Sequence, residues 1–356
     1  MKLLFSYDIF YLQKYGGISS YFANIAKELI INQKDINISC KLHKNFNLKD
    51  LANIVDGYMF YYPHLLNNMV EKVNNFYFRK QIEIIKPNII HYTYFNNNFR
   101  KKKDIKKIIN CWDLTHEKFG KNFEFKKIKE KNFLEADKII CPSFTVKRDL
   151  LNYYKLDVDK VHVTYFSSDF EIELQKKKTL QNYILYVGSR SDYKNFEIFI
   201  KSFSLSEKLK RDFDLIIFGG ENPKLNGLKI LEKYKIKRSK FKFIHGNNDD
   251  LKFFYKNVRL FVYPSRYEGF GIPLIESMRM GCPILSSNGG ALREVGGDGV
   301  TYFDPDNVED IKFKLENFIY DDKKLINCIN YGYERCKKYS WQKCTNETYD
   351  VYKSLF

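Results

Sequence analysis

The chain has 356 residues, 44% hydrophobic and 17% aromatic (31 Phe, 27 Tyr, 2 Trp), with 18 Gly and 8 Pro. That composition excludes a disordered, collagenous or low-complexity chain, and the length suits about two domains at roughly 150 residues each. Sixty Lys and Arg against 43 Asp and Glu give a net charge of +17, which fits nucleic acid, an acidic membrane surface, a phosphorylated substrate or a merely solvated basic surface; charge alone does not choose.

In chain order, the start MKLLFSYDIFYLQKYGG reads as a first buried strand. Asp8 interrupts its apolar run and no small-residue cleavage site follows, so it does not read as a signal peptide. Short β-branched runs then alternate with helical spacing. Strands are expected at Lys2–Ile9, Ile36–Leu42, Asn88–Tyr92, Lys107–Cys111, Lys138–Cys141 and Lys160–Thr164. Helices are expected between them at Ser19–Asn32, Asn67–Lys86, Phe123–Ala136 and Ser143–Tyr154. The pattern fails over Phe166–Asn182, a polar, charged stretch that reads as a linker. It restarts with strands Tyr183–Val187, Leu215–Phe218, Phe241–Ile244, Arg259–Tyr263 and Pro283–Ser286, separated by helices Asn195–Ser206, Lys224–Tyr234, Asp249–Tyr255 and Pro273–Met280, before a helical C-terminus. This is an α/β chain of βαβ units with parallel sheets. The expected domains are 1–170, 171–340 and a terminal helix, 341–356, crossing back to the first. Two doubly wound domains facing one another would put the carboxyl ends of both sheets at a shared cleft.

Seven scattered cysteines, none in a C-x-x-C pair, argue against a disulfide framework or a zinc site and suit reduced thiols in a cytoplasmic protein. No run approaches the ~18 apolar residues of a membrane-spanning helix, so any membrane association is expected to be peripheral. The densest basic stretch, Arg100–Lys131, holds 12 basic and 5 acidic residues.

Three stretches could carry chemistry. In Tyr15–Ser19, YGGIS, Gly16 and Gly17 follow the first strand and open a helix that Ser19 or Ser20 could cap. The alternatives are close backbone approach to an anion and an ordinary strand-to-helix turn, and the spacing of a dinucleotide fingerprint is absent. In Tyr186–Phe196, YVGSRSDYKNF, a strand ends at Gly188, with Arg190 and Lys194 just before a helix. They suit a diphosphate, or are two surface cations beside a turn. In Tyr263–Ser287 a strand leads to Glu268, Gly269, Phe270, Gly271 and Ile272, then Pro273 and Leu274 in the first helical turn, with Glu276 one turn inside. Carboxylates accept from sugar hydroxyls and unobstructed N–H groups receive phosphate, so a nucleotide sugar would use both; a capped dipole and a tight turn are the structural alternatives.

EGFGIPLIE, Glu268–Glu276, resembles the Glu-x7-Glu motif of the retaining glycosyltransferases of family 4, which have the GT-B fold of two facing Rossmann-like domains with a cleft between them. The resemblance extends over QKYGGISSYFANIAKEL, WDLTHEKF (Trp112–Phe119), ADKIICPSFTVKRDL (Ala136–Leu150), YVGSRSDYKNF, SSNGGALREVGGDGVTYFDP (Ser286–Pro305) and the terminal YSWQKCTNETYDVY. Order and spacing are similar to those of bacterial enzymes that build O-antigen, capsule or other surface polysaccharide. The resemblance implies that Arg190 and Lys194 hold the donor diphosphate, Glu268 binds sugar hydroxyls or phosphate, Gly269 to Gly271 offer N–H groups, and Glu276 binds the ribose, with Gly16 and Gly17 lining the diphosphate. It implies no metal and no cofactor besides the nucleotide-sugar substrate. Asp157–Asp159 and Asp304–Asp306 imitate a metal-binding pair without the needed strand before them. Where the family often has His–Asp this chain has Trp112–Asp113, so either Asp113 or His116 could take the histidine's role, or Trp112 could stack on a sugar.

The implied reaction is transfer of a hexose or deoxyhexose with retention, by a front-face route in which the leaving phosphate helps deprotonate the acceptor. The acceptor is expected to be a lipid-linked glycan on a polyprenyl diphosphate, at an anionic membrane surface on the inner face of the cytoplasmic membrane, contacted through the Arg100–Lys131 stretch. The Asp113–His116 neighbourhood resembles mannosyltransferase-like members and favours GDP-mannose or a related GDP- or dTDP-sugar. A soluble-glycan or small-molecule transferase of the same fold is the alternative. A nucleic-acid-binding protein is disfavoured because the aromatics fall on apolar runs, and an NAD-dependent oxidoreductase by the missing fingerprint.

Overall fold

A computed structural model describes residues 1–97, 104–120, 122–174, 180–220 and 225–356. The chain divides into unit 1, Met1–Phe166 with Ser340–Phe356, and unit 2, Ser167–Tyr339.

Unit 1 runs β1 (Leu3–Phe5), α1 (Asp8–Leu12), α2 (Gly17–Ile31), β2 (Ile36–Ile38), β3 (Leu42–His43), β4 (Tyr58–Met59), α3 (Asn67–Ile85), β5 (Ile89–Tyr92), β6 (Lys106–Asn110), α4 (Thr115–Lys118), α5 (Phe123–Glu135), β7 (Lys138–Cys141), α6 (Phe144–Tyr153) and β8 (Val161–Val163). The main sheet has the order β2-β1-β5-β6-β7-β8, all parallel, with Leu3 between Ile36 and Ile89; β3 and β4 form a separate parallel pair. Its Ile- and Val-rich strands are buried on both faces, as helices on both sides of a parallel sheet require. The helix Trp341–Lys353, capped by Ser340, packs on α2. There Tyr352 Oη lies 2.7 Å from Nδ1 of buried His91, whose other nitrogen faces Asn110 Oδ1 at 2.5 Å; burial pushes this imidazole down to about 3, so it is neutral in the fold.

Unit 2 runs β9 (Gln181–Val187), α7 (Phe196–Ser204), α8 (Glu207–Asp212), β10 (Asp214–Phe218), α9 (Leu225–Lys233), β11 (Phe241–Ile244), α10 (Asn248–Asn257), β12 (Val258–Tyr263), α11 (Ile272–Arg279), β13 (Ile284–Ser287), α12 (Leu292–Gly296), β14 (Thr301–Phe303), α13 (Val308–Ile319) and α14 (Asp322–Cys336). Its parallel sheet has the order β11-β10-β9-β12-β13-β14. Strand order reverses between β9 and β12 here and between β1 and β5 in unit 1, and ligands of such sheets bind outside the carboxyl ends at these reversals.

Several expectations need correction. The first strand stops at Phe5 rather than Ile9, because Ser6 and Asp8 turn aside to bond one another and the β5 end, where Ile9 N donates to Thr93 Oγ1. Helix α2 begins at Gly17 with Gly16 as an uncapped N-terminus; Ser19 lies inside the helix, donating to Gly16 O at 3.0 Å. The expected linker is ordered where it begins, since buried Arg279 donates to Ser168 O (2.6 Å), Phe170 O, Ser167 Oγ (2.9 Å) and Tyr339 O (2.7 Å); residues 175–179 of that stretch lie outside the described residues. Strands β3, β4 and β14 are too short to leave a periodic trace.

Candidate functional site

The reversal in unit 2 brings together the loops after β9 and β12. Gly188 closes β9 at φ +126, backbone that a side chain would strain. A 3₁₀ turn over Asp192–Lys194 and the left-handed Asn195 (φ 58) follow, directly before α7. This compact path sends the two cations in different directions. Arg190 turns toward the end of β10, donating to Gly219 O at 3.3 Å with its guanidinium over the Phe243 ring at 5.2 Å. A side chain at Gly220 would sit 2.9 Å from Gly188 O and 3.1 Å from the Arg190 guanidinium, so that close approach needs glycine. Lys194 turns toward β12 and donates to Glu268 Oε1 at 2.6 Å, with Tyr193 and Tyr263 rings 5.2 and 5.7 Å from its ammonium. Arg266 N donates to Tyr193 O at 2.8 Å, joining the loops through backbone as well.

The loop after β12 is held from behind by Asn288–Ala291. Ala291 N donates to Glu268 O at 2.9 Å, and a side chain at Gly290 would meet Glu268 O at 2.4 Å. Gly271 (φ +92) turns the chain into α11, whose first turn includes Pro273 and has no side-chain cap. Pro273 carries no N–H and Leu274 N donates back to Gly271 O at 2.9 Å, so a backbone donor for an anion here would come from Gly271 or Ile272. Phe270 is buried with its ring 5.7 Å from Tyr339, and Leu274 is buried, so both support the loop from inside. Ile272 and Glu276 are half-buried. Tyr255 Oη donates to Glu276 Oε2 at 3.5 Å, and burial, with a smaller push from Asp169, raises this carboxyl to about 7.

Beside the Asp192–Lys194 turn lies a cavity of about 590 Å³ lined by Arg190, Asp192, Asn195, Lys201, Tyr234 and Arg266 among others. Asn195 donates to Pro305 O at 2.6 Å, while its buried Oδ1 has no partner among the described residues. The acidic pairs set aside above are occupied locally: Asp157 accepts from Asp159 N, Asp304 from Asp306 N, and Asp306 pairs with Arg266 at 2.7 Å.

Gly16, Gly17, Asp113 and His116 belong to unit 1. Gly16 and Gly17 open α2 against the Gln13 side chain. Asp113 accepts from Thr115 N at 2.8 Å, and His116 is exposed with its ring 4.8 Å from Phe125. Trp112 is half-buried, set edge-on or tilted among Tyr21, Phe22 and Phe166 at 5.1, 5.7 and 5.4 Å between ring centres. The Arg100–Lys131 stretch is described in part. Residues 100–103 and 121 lie outside the described residues, Lys107 is buried, and buried Lys129 pairs with Glu117 at 2.8 Å.

Sequence reasoning missed Asp8. It is buried at the reversal of unit 1, bonded by Ser6 Oγ and by Asn96 Nδ2 at 2.8 Å, and burial raises its carboxyl to about 7. The available signal was an acidic residue directly after a strand, which read instead as an interruption. It also passed over Gly219–Gly220, a glycine pair after an apolar run.

Residues 167–335 match the family model of glycosyl transferases group 1. O-antigen chain mannosyltransferase B of Escherichia coli is 31% identical over 177 residues, 49% of this chain and 46% of that protein. An O-antigen chain mannosyltransferase of Salmonella typhimurium is 32% identical over 181 residues, 50% of each. This chain spans about half the length of these curated relatives. Among solved structures, sucrose-phosphate synthase from Thermosynechococcus elongatus superposes with a TM-score of 0.78 at 15% identity, covering 99% of this chain and 98% of its own, a likeness of fold alone. The two Rossmann-like halves are those of the GT-B fold, and the second of them carries the match to the glycosyl transferases group 1 model.

Proposed function

We propose that this chain is a retaining glycosyltransferase of surface-polysaccharide synthesis, moving a hexose or deoxyhexose from a nucleotide sugar to a hydroxyl of a lipid-linked glycan. The observation that carries the reading is the Lys194–Glu268 contact of 2.6 Å, which joins two loops at the strand reversal of unit 2. The O-antigen relatives support the product class, and their names as mannosyltransferases support GDP-mannose or a related GDP- or dTDP-sugar as donor.

In this reading Arg190 and Lys194 bind the diphosphate and stabilise charge on the departing nucleotide, with the open N–H groups at Gly271 and the start of α11. Glu268 orients Lys194 and accepts from a sugar hydroxyl; Glu276 accepts from the ribose. The bond between the anomeric carbon and the phosphate oxygen breaks while the acceptor oxygen bonds that carbon on the same face. The acceptor proton passes to the leaving phosphate oxygen, so neither a covalent enzyme intermediate nor a metal is required. Gly16, Gly17 and Asp113 or His116 are the residues of unit 1 proposed to serve the donor.

The test is the melting temperature with UDP, GDP, dTDP, ADP and CMP, for the wild type and Glu276→Ala, because a ligand of the folded state alone raises it. A rise with GDP or dTDP that the variant loses supports the site and names the base; no rise with any nucleotide rejects the reading. NMR of the product showing an inverted anomeric centre would reject the front-face route, and activity lost to EDTA would reject metal independence.

A further inference from the structure

Among the described residues, exposed apolar side chains concentrate in one stretch of unit 1. Tyr58, Met59, Phe60 and Tyr61 on and after β4, Leu65 in the turn that follows, and Met69, Val73 and Phe76 on α3 all face outward; Leu65 is 91% exposed, Tyr61 75% and Phe76 61%. Helix α3 is thus apolar on two sides. Its inward stripe is Val70, Phe78 and Ile82 with buried Asn74, and spacings of four and three put Met69, Val73 and Phe76 on a second stripe turned well away from it. Burying one stripe explains the helix; the second has no folding role, and exposed apolar surface of this extent marks an interaction site.

The stretch is bound together as one surface. Lys41 Nζ lies over the rings of both Tyr58 (4.8 Å) and Tyr77 (5.1 Å), tying β4 to α3. Phe60 stacks on Tyr62, which is anchored by donation to Tyr11 O at 2.6 Å. Lysines stand throughout: Lys14 over Tyr61, Lys44 over Tyr62, Lys80 over Phe76, and exposed Lys72 and Arg79 on α3. Residues 41–86 hold seven Lys and Arg against four Asp and Glu.

We infer that this surface docks on an anionic lipid bilayer, with the aromatic and aliphatic side chains entering the interfacial layer and the lysines meeting lipid phosphates. The charge pattern selects this partner over a protein one: lysine is depleted in protein–protein interfaces, whereas lysine beside Phe, Tyr and Leu is the composition of surfaces that lie in a membrane interface. Snorkelling lysine stems cover apolar surface while their ammonium groups stay wet. The inference deepens the proposed function, since a lipid-linked acceptor places the enzyme at a bilayer, and it moves membrane contact from Arg100–Lys131 to Tyr58–Lys80.

The experiment is co-sedimentation with phosphatidylcholine vesicles with and without phosphatidylglycerol, on the wild type, on Leu65→Ser/Met69→Ser/Phe76→Ser and on Lys72→Glu/Lys80→Glu. The wild type should partition about tenfold more onto the phosphatidylglycerol vesicles, less so as salt rises, and each variant should lose about that factor. Equal binding by the variants, or no wild-type binding to either vesicle, overturns the inference. A concentration-dependent dimer lost in the triple variant, without vesicle binding, overturns it in favour of a second copy of this chain. The nucleotide melting shift, measured on the same samples, separates the two readings: vesicle binding without any shift rejects the transferase reading and leaves the docking surface standing. Unchanged melting temperatures of the variants show that they fold.

Discussion

Each unit holds a carboxylate on a lysine beyond the carboxyl end of a parallel strand, Glu268 in the loop after β12 and Glu117 in α4 after β6. After β6, Lys129 and Glu117 are 2% and 1% exposed, and the pair is saturated: Glu117 also accepts from Tyr154 Oη at 2.6 Å, and Lys129 donates to Asp113 O at 3.2 Å. After β12, Lys194 and Glu268 are 16% and 13% exposed, beside glycine backbone and an uncapped helix start. The two pairs differ in burial: the first is closed off from water on every side, whereas the second stays within reach of solvent, and it is the second that the proposed function assigns to the donor.

That difference can be broken experimentally. The largest effect is expected from Lys129→Met, which strands the Glu117 charge in a buried setting and should cost about 3–5 kcal/mol in urea unfolding. Lys194→Met should cost less in unfolding stability than Lys129→Met, because its pair is 16% and 13% exposed rather than 2% and 1%, while abolishing the nucleotide melting shift. Transfer by Lys194→Met or Arg190→Ala should fall about 10²–10³-fold, as when a group facing developing charge is removed; the reverse pattern, with Lys194 the structural residue, would erase the distinction. Gly271→Ala should cost about 1–3 kcal/mol, because it strains φ +92 and drives a methyl to 2.6 Å from Leu292 Cδ2. The smallest effect sharpens the picture through pH. The Glu276 carboxyl is raised from 4.5 to about 7 on folding, so the folded state holds its proton more tightly. The stability it adds is full below pH 4.5 and is lost as pH rises through 7. Glu276→Gln should flatten the fall in stability across that window, and the slope surviving unchanged would show that another group sets it.

Much of the unit 2 site was legible because its determinants are local. Glycine at Gly188 and Gly271 meets a positive φ, proline fits the first turn of α11, and the spacing from Glu268 to Glu276 is a property of one strand–loop–helix corner. Asp8 was not legible: an acid after a strand is ordinary until Asn96, 88 residues away, donates to it and Thr93, 87 residues from Ser6, bonds the serine that holds it. The ring cluster of Trp112 with Tyr21 and Phe166 was not legible either, because its members lie far apart in the sequence. The burial of Lys107 and Lys129 within the basic stretch was not legible for a related reason, since it is set only when β6 and α5 pack into the unit.

The sequence by itself determined the alternation of strand and helix, the parallel sheets and the corner that carries Glu268 and Glu276, because periodicity and turn chemistry act over a few residues. Only the tertiary structure decided that Lys194 meets Glu268, that Arg279 holds down the start of the linker, that Lys129 is a core ion pair, and that α3 carries a second apolar face. Each of these depends on which distant segments exclude water from a side chain, and burial is set by the packing of the whole unit rather than by any window of its sequence.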